Sequence, residues 1–304
     1  MNEWLILVHV FEKGGWMFAK VLIFTDLDGS LLDHFSYSFE AAKPLLTLFR
    51  EEGVPVIPVT SKTRAELMLL RSDLDNRHPF IVENGAAIFI PQGYFPFNPP
   101  GCESLDGYDC YAFSKPRDFW LGVLSEVSEA FVGEFDTFTS LGIDGIVQLT
   151  GLSEERAQLA NRREYSEPVM WRGTEARKSI FVQRLRQAGA TVLQGGRFLH
   201  VTGGCNKGQA FQWLCDQYVK HWADPSVLTI AAGDSYNDID MLHVADCALV
   251  IRSPAHDFPE INHPNVYYIT QYGPVGWAEG VCRFLGVNDD SADVIDDLRN
   301  KLRG

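Results

Sequence analysis

The stretch Val21-Leu22-Ile23-Phe24-Thr25-Asp26-Leu27-Asp28-Gly29-Ser30 decides the fold. It opens on apolar and β-prone residues without polar alternation, which predicts a strand buried on both faces, as in a parallel sheet. The strand runs straight into two carboxylates one residue apart. Successive strand side chains point to opposite faces, so Asp26 and Asp28 converge only where the backbone leaves the pleat, and Gly29 marks that place. Carboxylates at the carboxyl edge of a sheet lie where open α/β sheets bind their ligands. The competing reading is an acidic turn, because Asp-Gly is ordinary loop chemistry.

A second stretch separates these readings. Residues 227–232 form another apolar run, and it ends in Gly233-Asp234-Ser235-Tyr236-Asn237-Asp238. Carboxylates again follow a buried strand. Two such strand ends supply three or four oxygens between them, the donor set of a hard cation such as Mg²⁺.

Together the two stretches resemble the haloacid dehalogenase superfamily of phosphatases. Asp26-Leu27-Asp28-Gly29-Ser30 matches its first motif, D-x-D-G-T/S, and Gly233-Asp234-x-x-Asn237-Asp238 its fourth, G-D-x-x-N-D. The second motif, a Thr or Ser closing a strand, is matched by Thr60 in Val54-Pro55-Val56-Ile57-Pro58-Val59-Thr60. The third, a lone Lys before a helix, is matched by Lys207 in Asn206-Lys207-Gly208. Each motif alone is weak; all of them in order are specific. Two departures are mild: Ser30 replaces the commoner Thr, and Asn206 stands where Asp commonly precedes the Lys. The resemblance implies an α/β fold, with a Rossmann-like core, a mostly parallel sheet and an inserted α+β cap of the C2B type.

Composition is ordinary for a soluble globular protein. At 304 residues the chain exceeds one ordinary core, so two domains are expected. A net charge of −14 argues against a nucleic-acid or membrane surface, since either needs basic patches. The six cysteines form no C-x-x-C pair, so they read as reduced and buried, as suits a cytoplasmic protein.

The chain divides into an N-terminal extension at 1–19, a first part of the core at 20–107, a cap at 108–203 and a second part of the core at 204–304. The extension is too short and too poorly flanked for a membrane span or a signal peptide, and Met17 is an alternative start. Helices are expected over 39–52, stopped by Gly53, and over 63–74. Asn84-Gly85 reads as a hairpin turn after a strand at 80–82. Residues 91 to about 110, rich in Pro, Gly, Asn and Asp, read as a linker. The cap mixes helices near 115–131, 153–164 and 174–188 with short strands. After Lys207 a helix leads into strands at 227–232, 246–251 and 266–269, helices near 237–244 and 275–285, and a tail helix at 291–303.

The resemblance also implies roles. Asp26 is the nucleophile that forms an aspartyl-phosphate. Asp28 is the general acid and base, and its backbone carbonyl a metal ligand. Asp26, Asp28 and Asp234 hold Mg²⁺, and Asp238 acts through water or orients Lys207; the plainer reading of Asp238 is a charge at a helix N-terminus. Thr60 and Lys207 hold the transferring phosphoryl group.

Residues 59–63, 81–86, 150–153, 163–167, 195–200 and 273–277 resemble the mannosyl-3-phosphoglycerate phosphatases. That branch implies Mg²⁺-dependent hydrolysis of mannosyl-3-phosphoglycerate, or its glucosyl counterpart, to a glycosylglycerate compatible solute. Ser61, Lys62, Asn84, Arg163, Arg197, His200 and Asn237 are the expected substrate contacts. Arg197 and His200 are matched to the glycerate carboxylate, because Arg meets carboxylates with two parallel hydrogen bonds. Arg163, Glu164 and Ser166 are weaker candidates for sugar hydroxyls, with an exposed helix end as the alternative, and Asn84 serves equally as hairpin chemistry. Alternatives are another sugar-phosphate phosphatase, a phosphomannomutase-like phosphotransferase, and a non-catalytic sugar-phosphate sensor. The oligomeric state is not read from the sequence.

Overall fold

The computed structural model describes residues 20–194, 197–287 and 294–303. The extension at 1–19 and its alternative start lie outside the described residues. The chain gathers into two compact units, Met1–Pro58 with Cys215–Gly304, and Val59–Leu214.

The first unit opens with β1 (Lys20–Thr25), α1 (Lys43–Glu52) and β2 (Val56–Pro58). Leu22, Ile23 and Phe24 are fully buried, as an unalternating apolar run predicts. The helix expected from residue 39 starts only at Lys43, because Pro44 is tolerated in a first turn and not deeper. Gly53 ends it at φ 70°, its N–H closing on the carbonyls of Arg50 and Phe49.

The second unit takes over at Val59. Thr63 caps α2 (Arg64–Asp73) with a reciprocal pair of hydrogen bonds to Glu66. β3 (Phe80–Val82) and β4 (Ala87–Pro91) form the hairpin that Asn84-Gly85 announces. The linker expected over 91 to about 110 is in part a second hairpin. β5 (Glu103–Leu105) pairs with β6 (Tyr108–Ala112), and β6 pairs with β4. Its turn is Asp106-Gly107, with φ of 49° and 82°, the left-handed pair that two-residue hairpins favour. The surrounding Pro and Gly hid that short signal.

The unit continues through α3 (Arg117–Ser128), β7 (Phe135–Thr137), α4 (Phe138–Thr150), α5 (Glu154–Asn161), β8 (Glu167–Trp171), α6 (Glu175–Gln187), β9 (Thr191–Gln194) and β10 (Leu199–Thr202). The expected cap helices are α3, α5 and α6. The sequence reading has no counterpart for α4, which Gly142 breaks at φ 63°. The strands make two antiparallel sheets, in the orders β7-β8-β10-β9 and β3-β4-β6-β5. Trp120, Phe131, Phe181 and Leu185 belong to the core packed with the first of these.

The helix α7 (Lys207–Trp222) carries the chain out of the second unit. Back in the first, β11 (Val227–Gly233), α8 (Ile239–Val244), β12 (Cys247–Arg252), β13 (Val266–Tyr272) and α9 (Val275–Phe284) complete the alternation. The sheet is wholly parallel, in the order β13-β12-β11-β1-β2. Because β1 and β11 are neighbours in register, Thr25 beside Ala232, the two motif-bearing strands end side by side. Chain order reverses at β1, which makes this edge the switch point where such sheets bind ligands. α10 (Val294–Arg303) completes the described chain, with Arg299 and Arg303 paired to Glu51 and Glu52 of α1; residues 291–293 of the expected tail helix lie outside the described residues. No helix among the described residues is long and apolar enough to cross a membrane.

Candidate active site

The first unit gathers the carboxylates. The Asp26 N–H donates to the Ala232 carbonyl at 2.8 Å, which fastens the end of β1 to β11. The backbone then turns back on itself, Ser30 N–H to Leu27 carbonyl at 3.2 Å and Gly29 N–H to Leu32 carbonyl at 2.9 Å. Carboxylate oxygens of Asp26, Asp234 and Asp238 all come within 4.8 Å of one another, and all three residues are buried. The Asp28 carboxylate is not in this group.

Glycines make the convergence possible. A Cβ on Gly29, at φ 89°, would lie 2.5 Å from Asp234 Oδ2. One on Gly233 would lie 2.5 Å from the Asp238 Cβ. Asp238 also acts on the backbone, its Oδ2 accepting the N–H groups of Asp234, at 3.1 Å, and Ser235, at 3.0 Å. It therefore shapes the loop that presents Asp234. Three clustered carboxylates offer hard oxygen donors, which suit a divalent cation. The donor set fits Mg²⁺.

The second unit holds the remaining motif residues. Thr60 is buried; its N–H donates to the Ile81 carbonyl at 3.0 Å, and its Oγ1 accepts the Lys62 N–H at 3.1 Å. Its carbonyl accepts the Asn84 N–H at 2.9 Å, and the Lys62 carbonyl accepts the Glu83 N–H at 3.0 Å. Thus the loop of Thr60, Ser61 and Lys62 is laced to the β3–β4 turn. Glu83, Asn84 and Gly85 are all left-handed, at φ 50°, 60° and 93°. A Cβ on Gly85 would overlap the Asn206 carbonyl, so only glycine lets this turn press against the start of α7. Lys207, the first residue of α7, is fully buried, unlike the solvated surface lysine that a helix start ordinarily carries.

Sequence reasoning missed Glu83. Its Oε1 accepts the Glu164 N–H at 2.8 Å, and its Oε2 accepts the Ser166 hydroxyl at 2.5 Å. Arg163 Nε lies 3.5 Å from the same Oε2, with both side chains buried, and Arg163 Nη2 donates to the Ser61 carbonyl at 2.8 Å. Arg163 and Ser166 therefore turn inward on Glu83. Glu164 holds Arg64 with two bonds, at 3.0 and 2.9 Å. The only sequence trace was a carboxylate between an apolar strand and its hairpin glycine. Arg197, exposed, donates Nη1 to the carbonyls of Leu149, at 2.7 Å, and Thr150, at 3.3 Å, capping the end of α4. His200 lies on β10 opposite Pro168. Asn237 sits in the short turn Tyr236–Asp238, half-buried, just after Asp234.

The chain is 35% identical over 272 residues to a glucosyl-3-phosphoglycerate/mannosyl-3-phosphoglycerate phosphatase of Methanococcoides burtonii, spanning 89% of this chain and 99% of that protein. A protein of the same name from Persephonella marina is 34% identical over 270 residues, 87% of this chain and 97% of the relative. The chain belongs to this phosphatase family. It is a phosphoric monoester hydrolase of the haloacid dehalogenase superfamily. A family model for sucrose-6F-phosphate phosphohydrolase matches residues 179–263, the stretch with Lys207, Asp234 and Asp238. Among solved structures, a HAD subclass IIB sugar phosphatase aligns with a TM-score of 0.52 at 18% identity, over 76% of this chain and 86% of that one. A HAD superfamily protein of Bacteroides thetaiotaomicron aligns at 0.60 and 16%, over 89% and 96%. At such identities the likeness is one of fold.

Two histidines are expected to make the fold sensitive to acid. Burial, then the charge of Arg163, lowers the His200 pKa to about 3. Burial and Arg71 lower that of His78, whose Nδ1 is 2.7 Å from the Tyr94 hydroxyl, to about 4. Both groups take a proton near 6.5 once unfolded. Their contribution to stability is therefore present above about 6.5 and lost as pH falls toward 4 and then 3. Melting temperatures should decline from neutral pH to about 4, and less steeply in His200→Gln. Parallel curves for the two proteins would show that folded His200 protonates freely.

Proposed function

We propose that the protein hydrolyses a glycosyl-3-phosphoglycerate, mannosyl or glucosyl, to the glycosylglycerate and inorganic phosphate, as a Mg²⁺-dependent enzyme of the cytoplasm. The reading is supported by the names of relatives matched over nearly the whole chain. The observation that carries it is the buried cluster of Asp26, Asp234 and Asp238 beyond two adjacent parallel strands.

An Asp26 carboxylate oxygen attacks phosphorus; an oxygen–phosphorus bond forms as the ester bond breaks, leaving an aspartyl-phosphate. Asp28 gives its proton to the departing alkoxide. It then takes a proton from the water that attacks phosphorus and frees Asp26. Thr60 and Lys207 bind the phosphoryl oxygens and offset charge as it develops. When bound, Mg²⁺ would be held by Asp26, Asp234 and the Asp28 backbone carbonyl, and it supplies Lewis-acid stabilisation of the phosphoryl oxygens. Ser61, Lys62, Asn84 and Asn237 are the proposed contacts at the phosphate, and Arg197 and His200 those toward the organic group; Arg163, buried against Glu83, instead positions the Ser61 carbonyl. We assign residues 108–203 to the cap, and 20–107 with 204–304 to the core.

The test is phosphate release over a panel of sugar phosphates and glycosyl phosphoglycerates. Preferred turnover of a glycosyl phosphoglycerate, without a bisphosphate activator, supports the proposal. Transfer of phosphate to a second sugar position instead of water makes the protein a mutase. Activity should vanish with a chelator and return with Mg²⁺; full activity in metal-free buffer contradicts the role given to Asp234.

A further inference from the structure

A cavity of about 270 Å³ opens in the first unit between the turn after β1 and the ends of β12 and β13. Gly29, Asp33, His34 and Phe35 line it from the turn after β1, and Pro254, Tyr272 and Gly273 from the ends of β12 and β13. Gly29 is the residue that packs on the Asp234 carboxylate, so the cavity adjoins the carboxylate cluster.

Both walls are built. On one, Asp33 Oδ1 accepts the N–H groups of Phe35, at 3.2 Å, and Ser36, at 2.7 Å, and the Ser36 hydroxyl at 2.7 Å. This tight turn leaves Phe35 76% exposed. On the other, β13 slips against β12: Ile251 pairs with Ile269, but Arg252 pairs with Tyr272. Bulges of this kind re-aim side chains beside binding sites. Here it sets Tyr272, 46% exposed, at the cavity, with Arg252 Nε donating to the Tyr272 hydroxyl at 3.2 Å. The remaining guanidinium N–H groups of Arg252 have no acceptor among the described residues. Gly273 ties this wall to the catalytic turn, since a Cβ there would overlap the Ser30 carbonyl.

Two exposed aromatic residues line the cavity, and a cation outside the lining, Arg252, is bonded to the Tyr272 hydroxyl. Sugar rings offer apolar C–H faces to aromatic walls, and small-molecule pockets combine such walls with a few polar groups. A planar guanidinium with free donors matches a carboxylate. We infer that this cavity is the subsite for the leaving alcohol, a glycosylated hydroxy acid, with the sugar against Phe35 and Tyr272 and the carboxylate held by Arg252. This inference rests on the substrate class proposed above. It gives the carboxylate to Arg252, whereas Arg197 has an Nη1 engaged at the end of α4.

The test compares a glycosyl-3-phosphoglycerate with the analogue whose carboxylate is replaced by a hydroxymethyl group. The readout is the ratio of their kcat/KM values. In Arg252→Ala the ratio should fall about ten- to a hundredfold, the effect of one charge-assisted hydrogen bond. Phe35→Ala should lower kcat/KM for both esters about three- to tenfold and leave their ratio unchanged. Both side chains are exposed, so unchanged melting temperatures show that the variants are folded. An unchanged ratio in Arg252→Ala, or a loss in Arg197→Ala in its place, overturns the subsite. A wild-type enzyme that turns over other sugar phosphates but neither glycosyl phosphoglycerate overturns the substrate reading itself, and the subsite with it.

Discussion

Asp26→Asn is expected to lower kcat for any phosphate ester at least about a thousandfold, ~4 kcal/mol of transition-state stabilisation. The substitution keeps the shape of the side chain and removes only its charge. The bond that fastens this position to β11 is a backbone one, from the Asp26 N–H to the Ala232 carbonyl at 2.8 Å, and survives the change. The fold should therefore persist. Acid-quenched wild type should carry phosphate bound to the chain during turnover, and the variant none. Turnover within about tenfold of wild type, a difference of only ~1.4 kcal/mol, would remove Asp26 as the nucleophile.

The residues behind this prediction were the most legible part of the chain. A strand buried on both faces has nowhere to put a polar residue, so β1 and β11 read as uninterrupted runs whose ends are the first carboxylates. That information is local. The glycines beside those carboxylates were legible as turns, but their steric role was not. The contact of Gly29 with Asp234 joins positions two hundred residues apart in the chain.

What stayed hidden was non-local or ambiguous. The strand slip that sets Arg252 opposite Tyr272 leaves no mark in either strand's own pattern. The α4 helix is broken by a glycine, so its apolar spacing never completes a convincing period. The β5–β6 hairpin carries its Asp-Gly turn inside a stretch that composition alone calls a loop. Arg163 illustrates a different difficulty. A charged residue near a helix end reads as exposed or as a substrate contact; its burial against Glu83 depends on a partner eighty residues earlier.

That pair carries the largest expected effect on stability. Glu83 and Arg163 are both almost wholly inaccessible, and Glu83 also receives the Glu164 N–H and the Ser166 hydroxyl. Glu83→Ala would leave the Arg163 guanidinium buried without its carboxylate and strand three further donors, the N–H groups of Glu164 and Tyr165 and the Ser166 hydroxyl. Breaking a buried pair in this way costs about 3–5 kcal/mol. Urea unfolding of wild type and variant measures it. Because the chain has two units, the second-unit transition should be the one that shifts. Replacing both partners tests the cause. Glu83→Met with Arg163→Met removes both charges while roughly keeping volume, and such exchanges are near neutral or stabilising. The double variant should therefore recover much of what Glu83→Met alone loses, a coupling that a double-mutant cycle reads directly. Recovery of stability without recovery of turnover is expected too, since the Ser61 carbonyl loses its bond from Arg163 Nη2, one of several bonds that hold the Thr60 loop. If the single variants lose less than about 1 kcal/mol, the pair is no stronger than an exposed one, and the turn at Glu83 is held by its backbone alone.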